Sequence, residues 1–282
     1  MGHRVFAIRY GYREATRAET FYGLDPHDGP MPMDYFMWAV VGDGPPVVVD
    51  TGFTLETAVR RNRDLTRDPI ELLSSLGIEA DRVLDVILTH LHYDHCGNMS
   101  AFPEARFWVQ DTELRFWTGR HAGRGEMGKI VEPDDIAELV RLNFDRRVRF
   151  VDGVGTVAPG ISVHRVGGHA PGLQVVRVET EQGPIVLASD ASHYYENLER
   201  DRPFAIVHSL PEMYAAFDRL HELAASPGDI VPGHDPLVLE RYPAPPELSG
   251  SVVEICAGRE GTVSMAPEGG SDPPEEHVRK QP

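Results

Sequence analysis

The chain has 282 residues, 41% of them hydrophobic, and a formal net charge of −17. That length admits one large domain or two small ones around a sizeable core, and the negative balance argues against a nucleic-acid partner, because such proteins gather Lys and Arg to neutralise phosphates. No apolar run approaches the roughly 20 residues that cross a bilayer, the N-terminus lacks a secretory apolar region, and two cysteines, Cys96 and Cys256, cannot build a disulfide framework, so a cytoplasmic protein without membrane attachment is expected.

In chain order, residues 5–10 and 35–41 read as strands, and Gly42-Asp43-Gly44 turns the second into another strand at 47–50. Tyr22, Met31, Met33 and Phe36 suit an apolar wall of a small-molecule pocket, and suit a core equally well. Arg60-Arg61-Asn62-Arg63 and Arg146-Arg147 are the densest basic clusters and read as solvated faces. Residues 69–76 before Gly77 form a helix with a glycine stop, and Asp81 begins the approach to the strand Val86-Ile87-Leu88.

That strand runs into Thr89-His90-Leu91-His92-Tyr93-Asp94-His95-Cys96-Gly97-Asn98. Three imidazoles and a carboxylate within six positions would each need a separate partner if buried without a metal, whereas a divalent cation satisfies them together. Cys96 stands outside this ligand pattern and reads as a packed small residue. Residues 119–128, Gly-Arg-His-Ala-Gly-Arg-Gly-Glu-Met-Gly, are too glycine-rich for helix or strand and form either a lid or a plain surface connection.

Helices follow at 134–142 and 211–225; in the second, Met213, Tyr214, Phe217, Leu220 and Leu223 make a core-facing stripe. Strands at 161–166, 173–178 and 184–188 form a second sheet, with a hairpin at 179–183. Three apolar runs end in one His or Asp beside a small residue: Val166-Gly167-Gly168-His169, Ile185-Val186-Leu187-Ala188-Ser189-Asp190 and Ile230-Val231-Pro232-Gly233-His234. Each reads as a strand delivering one side chain at its end, with glycine allowing close backbone approach. Together with the first loop they supply five His and two Asp, enough for two metal ions sharing a bridging carboxylate. Residues 1–242 are read as one metallo-hydrolase domain, and 243–282 as a Pro/Gly-rich tail, disordered above all at 266–282.

The order HxHxDH, GGH, Asp after a strand, then GH resembles the metallo-β-lactamase superfamily over roughly residues 4–240. The resemblance implies an α/β (α+β) fold, an αββα sandwich of two mixed β-sheets flanked by helices. On that pattern His90, His92 and His169 hold one metal, Asp94, His95 and His234 the other, and Asp190 bridges them. Val47-Val48-Val49-Asp50-Thr51-Gly52 is similar to the family's first motif, where the aspartate orients a metal-bound histidine.

Within the superfamily, Asp190 in place of Cys departs from the zinc β-lactamases, His92 in place of Glu departs from the flavodiiron branch, and glyoxalase II proteins carry a C-terminal helical region not evident here. Asp190-Ala191-Ser192 with Glu196-Asn197-Leu198-Glu199, and His169-Ala170-Pro171-Gly172, are most similar to the acyl-homoserine lactonase group. The substrate-binding tyrosine of that group, three residues past the bridging aspartate, is His193 here, with Tyr194 next; a phenylalanine of the metal loop is Tyr93. The expected activity is therefore opening of an N-acyl-homoserine lactone or related small lactone by a metal-bridging hydroxide, with Asp94 or Asp190 moving the proton and His193 or Tyr194 holding the carbonyl. Tyr93, Tyr22, Met33 and Phe36 are the expected pocket residues. Another cyclic ester or amide hydrolase, or a thioesterase, is the alternative. Two divalent ions are implied, zinc first, with Fe, Mn or Co tolerated by the same ligands; the partner is a small molecule, and the chain is a monomer or homodimer.

Overall fold

The alternation of side chains along the strands sets the layers. The structure is a computed structural model that describes residues 2–23, 25 and 27–256. One sheet contains β1 (Arg4–Arg13), β2 (Met33–Val41), β3 (Val47–Val49), β4 (Asp64–Leu65), β5 (Asp85–Ile87), β6 (Arg106–Gln110) and β7 (Val148–Val151). The second contains β8 (Val154–Ala158), β9 (Ile161–Arg165), β10 (Gln174–Thr180), β11 (Gly183–Ser189) and β12 (Ile230–Pro232), and β13 (Val252–Ile255) returns to the first.

The first sheet has the order β13-β1-β2-β3-β5-β6-β7, with β4 also on β1; the second runs β12-β11-β10-β9-β8. Both are mixed: β3, β5, β6 and β7 pair in parallel, as do β11 and β12, while the other ladders are antiparallel.

Trp38, Val40, Val49 and Ile87 of the first sheet pack against Val163, Val176, Leu187 and Val231 of the second. The opposite face of the first sheet, including Ile8, Met37, Val48 and Phe107, packs under the helical layer with Leu72, Leu73 and Leu139. On the outer face of the second sheet, Val175, Val186 and Ile230 meet Ala216, Leu220 and Leu223. Helices thus cover both outer faces, the expected αββα sandwich.

The helices are α1 (Arg17–Thr20), α2 (Leu55–Arg61), α3 (Pro69–Ser75), α4 (Asp111–Trp117), α5 (Pro133–Phe144), α6 (Tyr195–Glu199), α7 (Leu210–Leu223) and α8 (Leu237–Arg241). α3 starts where its sequence dictates: the Asp68 carboxylate accepts from the Ile70 and Glu71 amides, and Pro69 occupies the first turn, where no amide hydrogen is needed. In α7 the inward stripe is Met213, Ala216, Phe217, Leu220 and Leu223, whereas Tyr214, expected on it, is 40% exposed.

Two expectations are corrected. Phe36 lies on the side of β2 that enters the core between the sheets, 1% exposed, so it lines no pocket. The boundary at 242 also fails, because Val252 to Ile255 pair with β1 in the register Val5↔Ile255 to Ile8↔Val252 and bury Val252, Val253 and Ile255. A strand that completes the sheet edge belongs to the fold. Residues 266–282 lie outside the described residues.

Candidate metal centre

Strand ends and their loops bring the seven predicted ligands to one edge of the sandwich. β5 leads into the loop carrying His90, His92, Asp94 and His95; the β9–β10 connection carries His169; β11 ends at Asp190 and β12 at His234. Two glycines let these loops close. A Cβ on Gly168, whose φ is +85°, would stand 2.7 Å from Met213 Cα, and one on Gly233 would stand 2.7 Å from the Ser189 carbonyl carbon.

Ligand-capable atoms converge as the groups His90-His92-His169, His90-His95-Asp190 and Asp94-His95-His234. The Asp190 carboxylate sits among all of them: its oxygens are 3.2 Å from His95 Nε2, 3.2 Å from His169 Nε2, 3.1 Å from His234 Nε2 and 4.0 Å from His90 Nε2. Asp190 is therefore central, where a bridging ligand would stand.

The rings are aimed by their other nitrogens. His95 Nδ1 lies 2.8 Å from Asp50 Oδ2, His169 Nδ1 lies 2.8 Å from the Ile206 carbonyl, and His234 Nδ1 lies 2.7 Å from the Asp34 carbonyl. Each acceptor takes the Nδ1 proton and turns Nε2 inward as the ligand atom. Asp50 is itself held by the Thr89 amide at 2.8 Å and the Thr89 hydroxyl at 2.9 Å, on a backbone with φ of 60°. Such a conformation in a residue with a side chain is maintained only when its surroundings hold it.

Nε2 of His90, His92 and His95 are buried with no hydrogen-bond partner among the described residues. Buried polar atoms are nearly always satisfied, so these unpartnered nitrogens, with His92 Nδ1 also 2.8 Å from His169 Nε2, call for a cation. Burial, followed by neighbouring imidazoles, pushes His90 and His92 well below the usual imidazole range, keeping both neutral with lone pairs free. Burial raises Asp94 and Asp190, but the surrounding imidazoles overcome it and hold both well below the ordinary carboxylate range. Burial lowers His95 and His234, but Asp94 and Asp190 outweigh it and hold both above the usual imidazole range, so a metal must displace a proton from each; with that exchange the donor set fits two divalent ions.

A cavity of about 160 Å³ opens onto this cluster, with Met33 and Tyr93 in its wall. His193 also lines it: Nε2 is 2.9 Å from Asp190 Oδ2, and the ring stacks on Phe204 with centroids 3.5 Å apart. Burial, which outweighs Asp190, pushes the His193 imidazole down to about 3. Tyr194 is buried beside it but turned away, its hydroxyl donating to the Pro32 carbonyl at 3.3 Å and lying 3.5 Å from that of Met31. Tyr22 is 53% exposed and outside the cavity lining, because its segment runs over the surface.

Cys96 is fully buried with Sγ 3.4 Å from the His92 carbonyl, and burial pushes its thiol well up, as suits a packed residue. The Ile206 and Asp34 carbonyls that orient two of the rings could not be read from the sequence, since a backbone acceptor carries no residue-type signal. Residues 119–126 form turns and bends that run into a 3-10 helix, Met127–Lys129, which brings Lys129 and Ile130 to the cavity. Arg61 and Arg63 line it too, so the 60–63 cluster is more than a solvated face. Among the described residues no helix is long and apolar enough to cross a membrane.

Residues 32–234 match the family model of the metallo-beta-lactamase superfamily. Among curated proteins, the chain is 34% identical over 137 residues to an N-acyl homoserine lactonase of Bacillus thuringiensis, a match covering 48% of this chain and 49% of that protein. It is 26% identical over 189 residues to the N-acyl homoserine lactonase AttM of Rhizobium johnstonii, covering 65% and 70% respectively. The chain thus spans about half the length of the Bacillus relatives it matches. A crystal structure of a quorum-quenching N-acyl homoserine lactone lactonase superposes with a TM-score of 0.68 at 26% identity, covering 84% of this chain and 93% of that one. The dizinc quorum-quenching lactonase AidC, with a TM-score of 0.67 at 18% identity over 83% of this chain and 88% of its own, shares the fold.

Proposed function

This chain belongs to the metallo-beta-lactamase superfamily, and from that premise we propose that it is a dinuclear metal-dependent hydrolase that opens the ring of a lactone, an N-acyl-homoserine lactone or a related small one. The observation that carries this reading is the complete ligand set converging on Asp190 at the floor of a cavity. His90, His92 and His169 would hold one ion, Asp94, His95 and His234 the other, with Asp190 shared and zinc the expected metal. Two such ions supply Lewis acidity and a water acidic enough to attack a carbonyl near neutral pH.

The chain's own residues supply the rest. Asp94 lines the cavity and is anionic, so its carboxylate accepts the proton of the attacking water and returns it to the ring oxygen as that oxygen leaves. His193 stands where the lactonase tyrosine would: anchored on Phe204, it lines the cavity and directs Nε2 to Asp190 Oδ2 at 2.9 Å, so it orients the shared carboxylate and leaves the substrate carbonyl to the metal centre. Tyr194 has no such role, because its hydroxyl is engaged by the Met31 and Pro32 carbonyls.

Proton release measured on metal-loaded protein tests the reading, using homoserine lactones of short and long acyl chain, simple γ-lactones, a glutathione thioester and a cyclic imide. Lactone turnover that disappears in His169→Ala and Asp190→Asn is expected. Turnover confined to the thioester or the imide would move the assignment to that class, and turnover of none would refute it.

A further inference from the structure

Four cationic side chains, Arg13, Arg61, Arg63 and Lys129, line the mouth of the cavity in a chain whose net charge is −17. Two are neutralised from outside, Arg61 by Glu132 at 2.6 Å and Lys129 by Glu126 at 2.6 Å. Arg13 and Arg63 form no ion pair among the described residues, and the Arg13 side chain forms no hydrogen bond there either.

Arg63 is held in place. Its Nε donates to the Tyr93 hydroxyl at 3.0 Å and its Nη1 to the Arg61 carbonyl at 2.8 Å, while Nη2 has no hydrogen-bond partner among the described residues. Tyr93 is the platform: its hydroxyl lies 3.0 Å from that of Tyr35, and the Arg61 guanidinium stacks 4.1 Å above its ring. Nη1 also donates to the Asn62 carbonyl at 3.2 Å, so this half-buried, fixed guanidinium offers an anion its charge and the free Nη2 donors, a charge-assisted contact. The cavity itself, about 160 Å³, is well below the roughly 300–1,000 Å³ that encloses drug-sized ligands, so a long acyl chain gains little burial in it.

We propose that Arg63 and Arg13 select a compact lactone bearing a carboxylate remote from the scissile ring. This rests on the lactone-hydrolase reading, and two arms keep their failures apart. In the kinetic arm, kcat/KM is compared for γ-butyrolactone and its carboxylated counterpart, and for a hexanoyl and a carboxyacyl homoserine lactone. The carboxylated member of each pair is expected to be favoured at least tenfold, with the ratio falling as salt rises and collapsing toward one in Arg63→Gln and Arg13→Gln. In the binding arm, butyrate and glutarate are titrated into metal-loaded protein by calorimetry. Both offer one carboxylate to the metal cluster, and only glutarate offers a second to the arginines.

Tighter binding of glutarate that is lost in the Gln variants and retained in part by Arg63→Lys supports the arginine site even if no lactone is turned over. Equal handling of charged and neutral members in both arms, or a preference undiminished in both Gln variants, overturns the proposal. Thermal melts of each variant show whether the fold is intact.

Discussion

Replacing Asp50 by Asn removes one charge and adds one donor while keeping the shape. Asp50 is 0% exposed; Oδ1 accepts the Thr89 amide at 2.8 Å, and Oδ2 accepts the Thr89 hydroxyl at 2.9 Å and the His95 Nδ1 proton at 2.8 Å. An asparagine amide can keep the Thr89 amide bond only by turning its NH2 toward His95 Nδ1, donor against donor. His95 escapes by moving its proton to Nε2, the nitrogen that faces Asp190 and the metal cluster. Loss of an orienting partner of this kind weakens metal binding about 10–100-fold, or about 1.4–2.7 kcal/mol. Competition against a chromogenic chelator, site by site, measures it, with Asp50→Asn and wild type compared at one pH. The ion held by His95 should weaken first. Wild-type affinity for both ions, in a variant whose metal-free melt is unchanged, would refute the orienting role.

Other consequences are as direct. Gly168→Ala, with a Cβ 2.7 Å from the Met213 backbone and φ of +85°, should lose on the order of 3 kcal/mol in urea unfolding of metal-free protein; a loss below about 0.5 kcal/mol would show that α7 yields freely. Phe36→Ala should lose about 3–5 kcal/mol while KM stays put, because Phe36 belongs to the inter-sheet core; a KM change without a stability loss would return it to the pocket. Asp135 is pushed up to about 7 by burial and then by Glu132, Glu138 and Asp134. Folded protein therefore binds a proton that the unfolded chain releases near pH 4, so stability falls as pH rises between about 4 and 7. Asp135→Asn should remove that slope, stabilising the protein at pH 8 by on the order of 1–2 kcal/mol for a half-buried group and leaving it unchanged at pH 3; denaturant midpoints across pH decide it.

The candidate ligand cluster was legible because four of its residues share one short loop and the others follow apolar runs beside a small residue, so local spacing carried the information. The pocket was legible only in part, since Met33 and Tyr93 line it while Tyr22 and Phe36 do not, and β2 shows why. Every residue from Met33 to Val40 is buried, so polar and apolar side chains do not alternate, and nothing local says that Tyr35 and Met37 face the helices while Phe36 and Trp38 face the other sheet. Where His193 and Tyr194 point was likewise visible only in the fold, through Phe204 and Asp190 on one side and the Met31 and Pro32 carbonyls on the other. Val252 to Ile255 were too few to show a period amid Pro and Gly, and their strand character comes from pairing with β1. Arg61 and Arg63 looked like surface because their destination at the cavity mouth depends on contacts with Glu132 and Tyr93, distant in sequence.

The central claim is that Asp190 unites two metal ions into one lactone-opening site, and a pH-stat titration of metal-free protein with zinc tests it most directly. Lactone ring opening should stay absent without metal, rise steeply with the second equivalent bound, and be lost in Asp190→Asn at every metal level. Full turnover in stripped protein, or a wild-type rate in Asp190→Asn, would contradict the account.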